Sequence, residues 1–284
     1  YIYVTKLNKN KQQLFFKISG PVDYTGSLPE YKPRIISSED KKYVYVTGYV
    51  NANSTSFGNM VLSNVLTYCG FVARLNGLDG SELYFSYTCG SDAYGSHLSL
   101  GPTGSIYNAG LMSGDYVDFG GASGTTDSNS IDMYVAKLDV AGNQMWYNVA
   151  GSSAGDTYNR LYTRIVSSAD KQNVFVGGYI TANTFNTFGN TTITGLTGAS
   201  YMSFISKLDG VDGTELAYNY LSADDSSLTS LSLAEAGGVY VAGYIYGDYK
   251  NLVSRSKIEK CKQFSSAAGF GSIADCCLSQ DVGK

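Results

Sequence analysis

Four aspartates present the most regular chemistry in this sequence. Each follows the second expected strand of an internal repeat, and together they are Asp23, Asp92, Asp156 and Asp225. If the repeats form a ring, the loops that carry these residues lie on one rim. A ring of carboxylates there could bind Ca²⁺ or a polar ligand. The competing interpretation is that each Asp caps a turn by bonding its own backbone. Both interpretations require strands that place the loops side by side.

Other catalytic and metal-binding arrangements find little support in the residue inventory. The 284 residues include one histidine, His97, and a lone histidine is more often a surface or satisfied residue than a catalyst. A metal site with two or more histidine ligands cannot be assembled. The turns at Asn76–Glu82 and Asp209–Glu215 contain Asp and Gly but lack the alternating oxygen ligands of a calcium loop, which favours plain hairpin turns. We therefore expect no enzymatic activity and no cofactor.

A repeat of more than 60 residues organises the chain. Its fourth copy contains, within Tyr201–Ile245, four short β-branched or aromatic runs separated by Gly and Asp clusters, a pattern typical of strands. The first-strand motif recurs as YVTKL, FVARL, YVAKL and FISKL, and the fourth-strand motif as VYVTGYV, IYNAGLM, VFVGGYI and VYVAGYI. Two strand motifs that recur together indicate a repeat architecture. No segment has a sustained helical period.

The fourth strand indicates how the repeats pack. Side chains alternate across a strand, so Val239 and Val241 share one face, Tyr240 and Tyr244 share the other, and neither face is charged. A sheet that is apolar on both faces must lie between two others, as the blades of a β-propeller do. A β-solenoid is the competing architecture, but its coils are usually shorter. We predict an all-β, β-propeller-like array of four-stranded repeats with four or five blades.

The repeats also divide the chain into regions. They span about residues 1–68, 69–130, 131–200 and 201–250, and we expect residues 1–250 to form one repeat domain. Residues 251–284 break the pattern and are expected to form a C-terminal strand and a cysteine-containing tail.

These units resemble the seven-bladed β-propeller repeat family of secreted and surface proteins. The resemblance rests on YVAKLD at Tyr134–Asp139, Met145-Trp146, and VYVTGY at Val44–Tyr49, and it covers about residues 1–250. The chain departs from the family in having four repeats and a fragment instead of seven, and a single tryptophan. The family has no shared catalytic residues, so the resemblance implies a fold and an extracellular or cell-surface location, but no chemistry.

Cysteines and glycosylation sequons fit an extracellular protein. Folding the second-repeat hairpin about Asp79 places Cys69 opposite Cys89, which predicts a disulfide; two free buried thiols are the alternative. Asn53 and Asn190 begin N-glycosylation sequons in corresponding loops, although chance in an Asn/Thr-rich chain would also explain them. The remaining cysteines, whose pairing stays open, are Cys261, Cys276 and Cys277.

The charges are few and nearly balanced. A formal net charge of −4 gives no indication of a nucleic-acid partner or an anionic membrane, and no apolar run reaches the length of a membrane span. One basic residue recurs in each first strand, and we expect these residues to extend along apolar surface or to pair with the acidic loops. They are Lys6, Arg74, Lys137 and Lys207.

Together these features predict a non-enzymatic extracellular structural or adhesive module. The alternative is a Ca²⁺- or glycan-binding or hydrolytic propeller that uses the Asp rim. We expect self-association as the main partnership, with a glycan or surface ligand as a second kind of partner.

The ends of the chain suggest a route to self-association. If each blade joins strands three and four of one repeat to strands one and two of the next, Tyr1–Ser19 and the segment from Leu252 compete for one slot in the last blade. The surplus strand would then pair with a neighbouring molecule and generate a filament. The alternative is that residues 252–284 pack on their own propeller.

Overall fold

The computed structural model describes residues 1–20, 32–51, 55–58, 60–62, 68–126, 131–152, 163–180, 184–194, 202–234 and 237–254. Across these ranges the regular elements are strands, apart from one 3-10 turn at Pro102–Gly104, and every strand pair is antiparallel. The expected all-β class is therefore confirmed.

The strands follow the β-branched and aromatic runs of the repeat. In chain order they are β1 (Tyr3–Leu7), β2 (Gln13–Ile18), β3 (Arg34–Ser37), β4 (Tyr43–Asn51), β5 (Tyr68–Asn76), β6 (Glu82–Leu100), β7 (Ile106–Val117), β8 (Ser123–Thr125), β9 (Asp132–Leu138), β10 (Gln144–Ser152), β11 (Arg164–Ser167), β12 (Asn173–Ile180), β13 (Thr184–Asn186), β14 (Thr192–Thr194), β15 (Met202–Asp209), β16 (Glu215–Leu233) and β17 (Val239–Ser254).

Three sheets result from the pairing of these strands. The first is the two-stranded N-terminal hairpin, β1 with β2. The second has the order β14-β13-β10-β9-β7-β6-β5-β4-β3, with β8 added to β7. The third has the order β11-β12-β15-β16-β17.

The two large sheets contain three groups of four strands, which we call layers 1 to 3. Layer 1 is β3, β4, β5 and β6 as far as Gly90, and layer 2 is β6 from Asp92, β7, β9 and β10. Layer 3 is β11, β12, β15 and β16 as far as Leu221. The last two strands, β16 from Ser226 and β17 as far as Ile245, form the terminal pair. Each layer thus joins strands three and four of one repeat to strands one and two of the next.

The layers pack face to face in chain order. Their central strands are apolar on both faces, because each face covers a different neighbour; in β5 every residue from Cys69 to Leu75 is buried. Each interface therefore has its own apolar core. These cores contain Val4 with Phe71, Val72 with Ile106, Val135 with Val174, and Ile205 with Leu228.

Two strands are longer than the sequence predicts. The repeat was expected to have a polar loop between its second and third strands, but β6 and β16 run through that point as single strands of 19 residues. They accommodate the polar residues through register shifts, between Gly90 and Asp92 in β6 and between Ala223 and Asp225 in β16. Each long strand changes partners along its length and so joins two successive layers.

The ends of the array are not joined to each other in the described part of the chain. The N-terminal hairpin pairs with no strand of the other two sheets, so these strands form open sheets and not a closed ring. The segment from Leu252 does not take the slot beside the terminal pair. It continues β17 along the edge of layer 3, where Leu252 pairs with Leu221. Residues 255–284 lie outside the described residues, so the separate tail stays a prediction.

Cys69 and Cys89 form a disulfide across β5 and β6. The two residues are direct neighbours in the strand register, with Cα atoms 4.1 Å apart and sulfur atoms bonded at 2.07 Å. Both side chains are buried in the core between the N-terminal hairpin and layer 1. This is the pairing that the hairpin register predicts.

Replacing both cysteines by alanine should lower the free energy of unfolding by about 3 kcal/mol, because the bond constrains a loop of about 20 residues in the unfolded chain. Urea unfolding followed by tyrosine fluorescence measures this change. Reductant should lower the free energy of unfolding of the wild type by a similar amount. It should leave that of the Cys69→Ala/Cys89→Ala variant unchanged. Equal midpoints for the oxidised wild type and the variant would contradict a stabilising role.

Candidate functional site

The aspartates expected on a rim are not brought together among the residues that the structure describes. Asp92 lies within β6 and not in a loop, where its carboxylate accepts hydrogen bonds from Tyr94 Oη at 2.9 Å and Ser113 Oγ at 3.4 Å. Asp225 also lies within a strand, β16, so the loop placement was wrong for both. Asp23 and Asp156 lie outside the described residues. No group of three or more His, Cys, Asp or Glu side chains that could hold a metal occurs in the described ranges.

The turns that faintly suggested calcium loops are hairpin turns. Asp79 Oδ1 accepts bonds from the backbone N–H and hydroxyl of Ser81, and Asp209 Oδ1 accepts one from the N–H of Val211. The bonds from Ser81 hold the pKa of Asp79 below its usual value. These carboxylates are used by their own turns, in agreement with the expectation of plain hairpin turns.

The lone histidine, His97, is largely buried. His97 Nδ1 is inaccessible to solvent and has no hydrogen-bond partner in the described part of the chain. Burial, with smaller contributions from the nearby Arg164 and Arg34, lowers the pKa of His97 to about 4, although a hydrogen bond with the backbone of Ile165 opposes the shift. The imidazole is therefore neutral at physiological pH.

The repeated basic residues form the first of three recurring contacts, and like the second it joins one layer to the next. Lys6 Nζ donates to Gly77 O at 2.5 Å, and Arg74 Nη1 donates to Val140 O at 2.6 Å. Lys137 Nζ donates to Gly210 O at 2.5 Å. Each acceptor is a backbone carbonyl in the first-to-second-strand turn of the next layer. The expected acidic partners are therefore replaced by carbonyl groups.

A tyrosine on the fourth strand provides the second contact. Tyr45 Oη donates to Gly104 O of layer 2 at 3.1 Å. Tyr107, its counterpart in β7, donates to Gly210 O of layer 3 at 3.2 Å, and so reaches the carbonyl that also accepts the bond from Lys137. Burial raises the pKa of Tyr107 to about 12, which keeps the hydroxyl protonated as a donor.

The third contact was missed at the sequence level. In β6, β10 and β16, the second strands of the three layers, the first residue accepts a bond from the backbone N–H of a glycine in a Phe-Gly turn. The pairs are Gly58 N with Glu82 Oε2 at 2.9 Å, Gly120 N with Gln144 Oε1 at 3.1 Å, and Gly189 N with Glu215 Oε2 at 3.0 Å. The available signal was the recurrence of Glu or Gln at that position together with Ser, Asp or Thr before each Phe-Gly.

These contacts make the layer interface the candidate functional site. Several of its polar groups bond backbone carbonyls across the interface, and apolar side chains surround them, which suits recognition of one repeat by the next. Lys207 is the exception. It occupies the same position in layer 3 as Lys137 in layer 2, yet donates no hydrogen bond to any of the described residues and lies 5.9 Å from the centre of the Phe175 ring.

Comparison with protein-family models and with curated proteins finds no match to this chain. In the ranges that the structure describes, no helix has the length and apolar character needed to cross a bilayer.

Replacing Lys137 by methionine should lower the free energy of unfolding by about 1–2 kcal/mol, because a nearly buried carbonyl, Gly210 O, loses a charged donor. Chemical denaturation measures the change. Lys207→Met is the matched control, since Lys207 has no carbonyl partner to lose. The free energy of unfolding of this variant should stay within about 0.5 kcal/mol of that of the wild type. Equal losses in the two variants would show that the carbonyl contact is not what stabilises the interface.

Acidification should destabilise the protein before its carboxylates protonate. Unfolded His97 takes up a proton near its usual pKa of 6.5 and the folded residue only near 4, so the unfolded state binds more protons in that window. Stability should therefore fall by up to about 3 kcal/mol as pH drops from 6.5 to 4. Urea midpoints measured across this range test the effect, with His97→Gln as the variant in which most of the slope should disappear. A slope that persists in His97→Gln would assign it to other groups.

Proposed function

We propose that this protein is a non-enzymatic extracellular module of β-propeller type with a structural or adhesive role. The observation that carries the proposal is the repeated layer interface, in which a cation or a tyrosine from one layer binds a turn carbonyl of the next. The most regular polar chemistry of the chain thus serves packing between repeats. Asp92, one described member of the expected Asp rim, is likewise engaged by Tyr94 and Ser113.

The propeller arrangement is supported by the equivalence of the layers. The fourth strand of one repeat pairs with the first strand of the next in the same register three times, through Gly48 with Phe71, Gly110 with Tyr134, and Gly178 with Phe204. The N-terminal hairpin supplies the first and second strands of a further blade, and the terminal pair supplies the third and fourth. Four blades then account for all the strands of the repeat.

An extracellular location is supported by two features, a disulfide and an exposed sequon. A disulfide at Cys69–Cys89 is typical of proteins in oxidising compartments. Asn190, which begins one sequon, is exposed on the turn between β13 and β14, where glycosylation machinery can reach it. Asn53, the other sequon residue, lies outside the described residues.

Labelling of intact source cells tests the proposed location. A membrane-impermeant amine reagent should modify exposed lysines such as Lys9, and mass spectrometry of the isolated protein should find Cys69 and Cys89 joined. In a glycosylating host, Asn190 should carry a glycan, and Asn190→Gln should remove the corresponding mass. A cytosolic marker protein serves as the control for cell integrity. Labelling only after lysis, with both cysteines reduced, would contradict an extracellular role.

A further inference from the structure

The outer face of the terminal pair exposes side chains that are buried in every other layer. Tyr240 is 42% exposed and Tyr244 is 62% exposed. Their counterparts in the three preceding fourth strands lie under the next layer and are buried. These are Tyr45, Tyr107 and Phe175 for the first position, and Tyr49, Leu111 and Tyr179 for the second.

The N-terminal hairpin has the complementary exposure. Tyr3 in β1 is 64% exposed and Phe16 in β2 is 48% exposed, and their rings stack on each other at 5.7 Å between centroids. The residues equivalent to Tyr3, which are buried between layers, are Phe71, Tyr134 and Phe204. The hairpin is therefore covered on the side that faces layer 1 and open on the other.

The two ends also have free strand edges that match. Elsewhere the fourth strand of one repeat pairs with the first strand of the next, as in β4 with β5, β7 with β9 and β12 with β15. The corresponding strands at the ends are β17 and β1, and among the described strands each has a single partner, β16 and β2 respectively. The C-terminal part of β17 does not cover this edge, because it turns back along layer 3.

We propose that the terminal pair binds the N-terminal hairpin of a second copy of this chain. The register follows from the three internal pairings and places Tyr3 opposite Gly243 and Thr5 opposite Val241 in an antiparallel ladder. The hairpin turn then supplies Lys9 O to Lys207 Nζ, in the position that Gly77, Val140 and Gly210 occupy at the other interfaces. This surface rests on the propeller-type function proposed above.

A second copy is the occupant that the contacts favour. The surface continues the interfaces already present within the chain. Its cation, Lys207, lies 5.9 Å from the Phe175 ring centre, much as Lys137, which binds a carbonyl, lies 5.6 Å from the equivalent Tyr107 ring centre. The chain's own hairpin is seated on layer 1 and is not paired with β17. Because the two surfaces are unlike, each copy offers one of each kind, and head-to-tail binding generates a ring or an open filament.

Disulfide trapping between two single variants tests this contact. Thr5→Cys and Val241→Cys are made in separate full-length chains that also carry Cys261→Ser, Cys276→Ser and Cys277→Ser. Mixing under mild oxidation should give a covalent dimer whose linked peptides contain positions 5 and 241, since opposed positions on antiparallel strands are within disulfide reach. Ser232→Cys replaces Val241→Cys as the control, because it is exposed on β16, one strand further away, and should give no dimer.

The results of trapping distinguish the hairpin of a second copy from the chain's own hairpin as the partner of the terminal pair. A chain that carries Thr5→Cys and Val241→Cys together should form linked oligomers; a monomer bridged within itself would show ring closure inside one chain and overturn the proposal. No trapping in the mixture would overturn it as well. Lys207→Met should reduce trapping about tenfold without lowering the unfolding midpoint, because the lost bond exists only between copies. These results are independent of the cell-labelling test, so failure of either proposal can be told from failure of the other.

Discussion

The structure depends on one constraint: the central strands of each layer are apolar on both faces. In β5 no residue between Cys69 and Leu75 reaches solvent, so the sheet needs a partner on each side. Burial of apolar surface stabilises a sheet by roughly 25 cal/mol per Å², and a layer covered on one face forfeits half of that term. A single repeat therefore cannot be stable alone, and three complete layers with partial ones at both ends are the result.

The polar contacts decide how the layers are aligned, which apolar packing alone would leave loosely specified. Lys137 and Tyr107 both donate to Gly210 O, so the turn of layer 3 is fixed from two directions. Burial lowers the pKa of Lys137, which shows that its charge is held at a cost. A backbone carbonyl suits this role because the conformation of the turn fixes its position. That position does not depend on which side chains the turn carries.

Sequence patterns within single strands and hairpins correctly predicted the features that depend only on neighbouring residues. Strand alternation gave the two apolar faces, and the hairpin register gave the pairing of Cys69 with Cys89. The polar stretch around Asp92 resembled a loop, yet β6 continues through it by shifting register, because Asp92 finds hydroxyl partners inside the sheet. The acceptors of Lys6 and Arg74 could not be predicted, since every residue has a backbone carbonyl and the sequence does not single out the one that accepts the bond. Ring closure depends on the angle between layers, which no single segment specifies.

The continuity of β6 has a consequence for how the molecule opens. One strand of 19 residues is hydrogen-bonded into both layer 1 and layer 2, so unfolding of β6 in one layer removes the support of the strand that continues into the other. We therefore expect the two layers to open as one cooperative unit, in which amide hydrogens share a common opening free energy. Among the described strands the N-terminal hairpin has no ladder with layer 1 and is held mainly by side chains, so we expect it to be the smallest unit of the array to open.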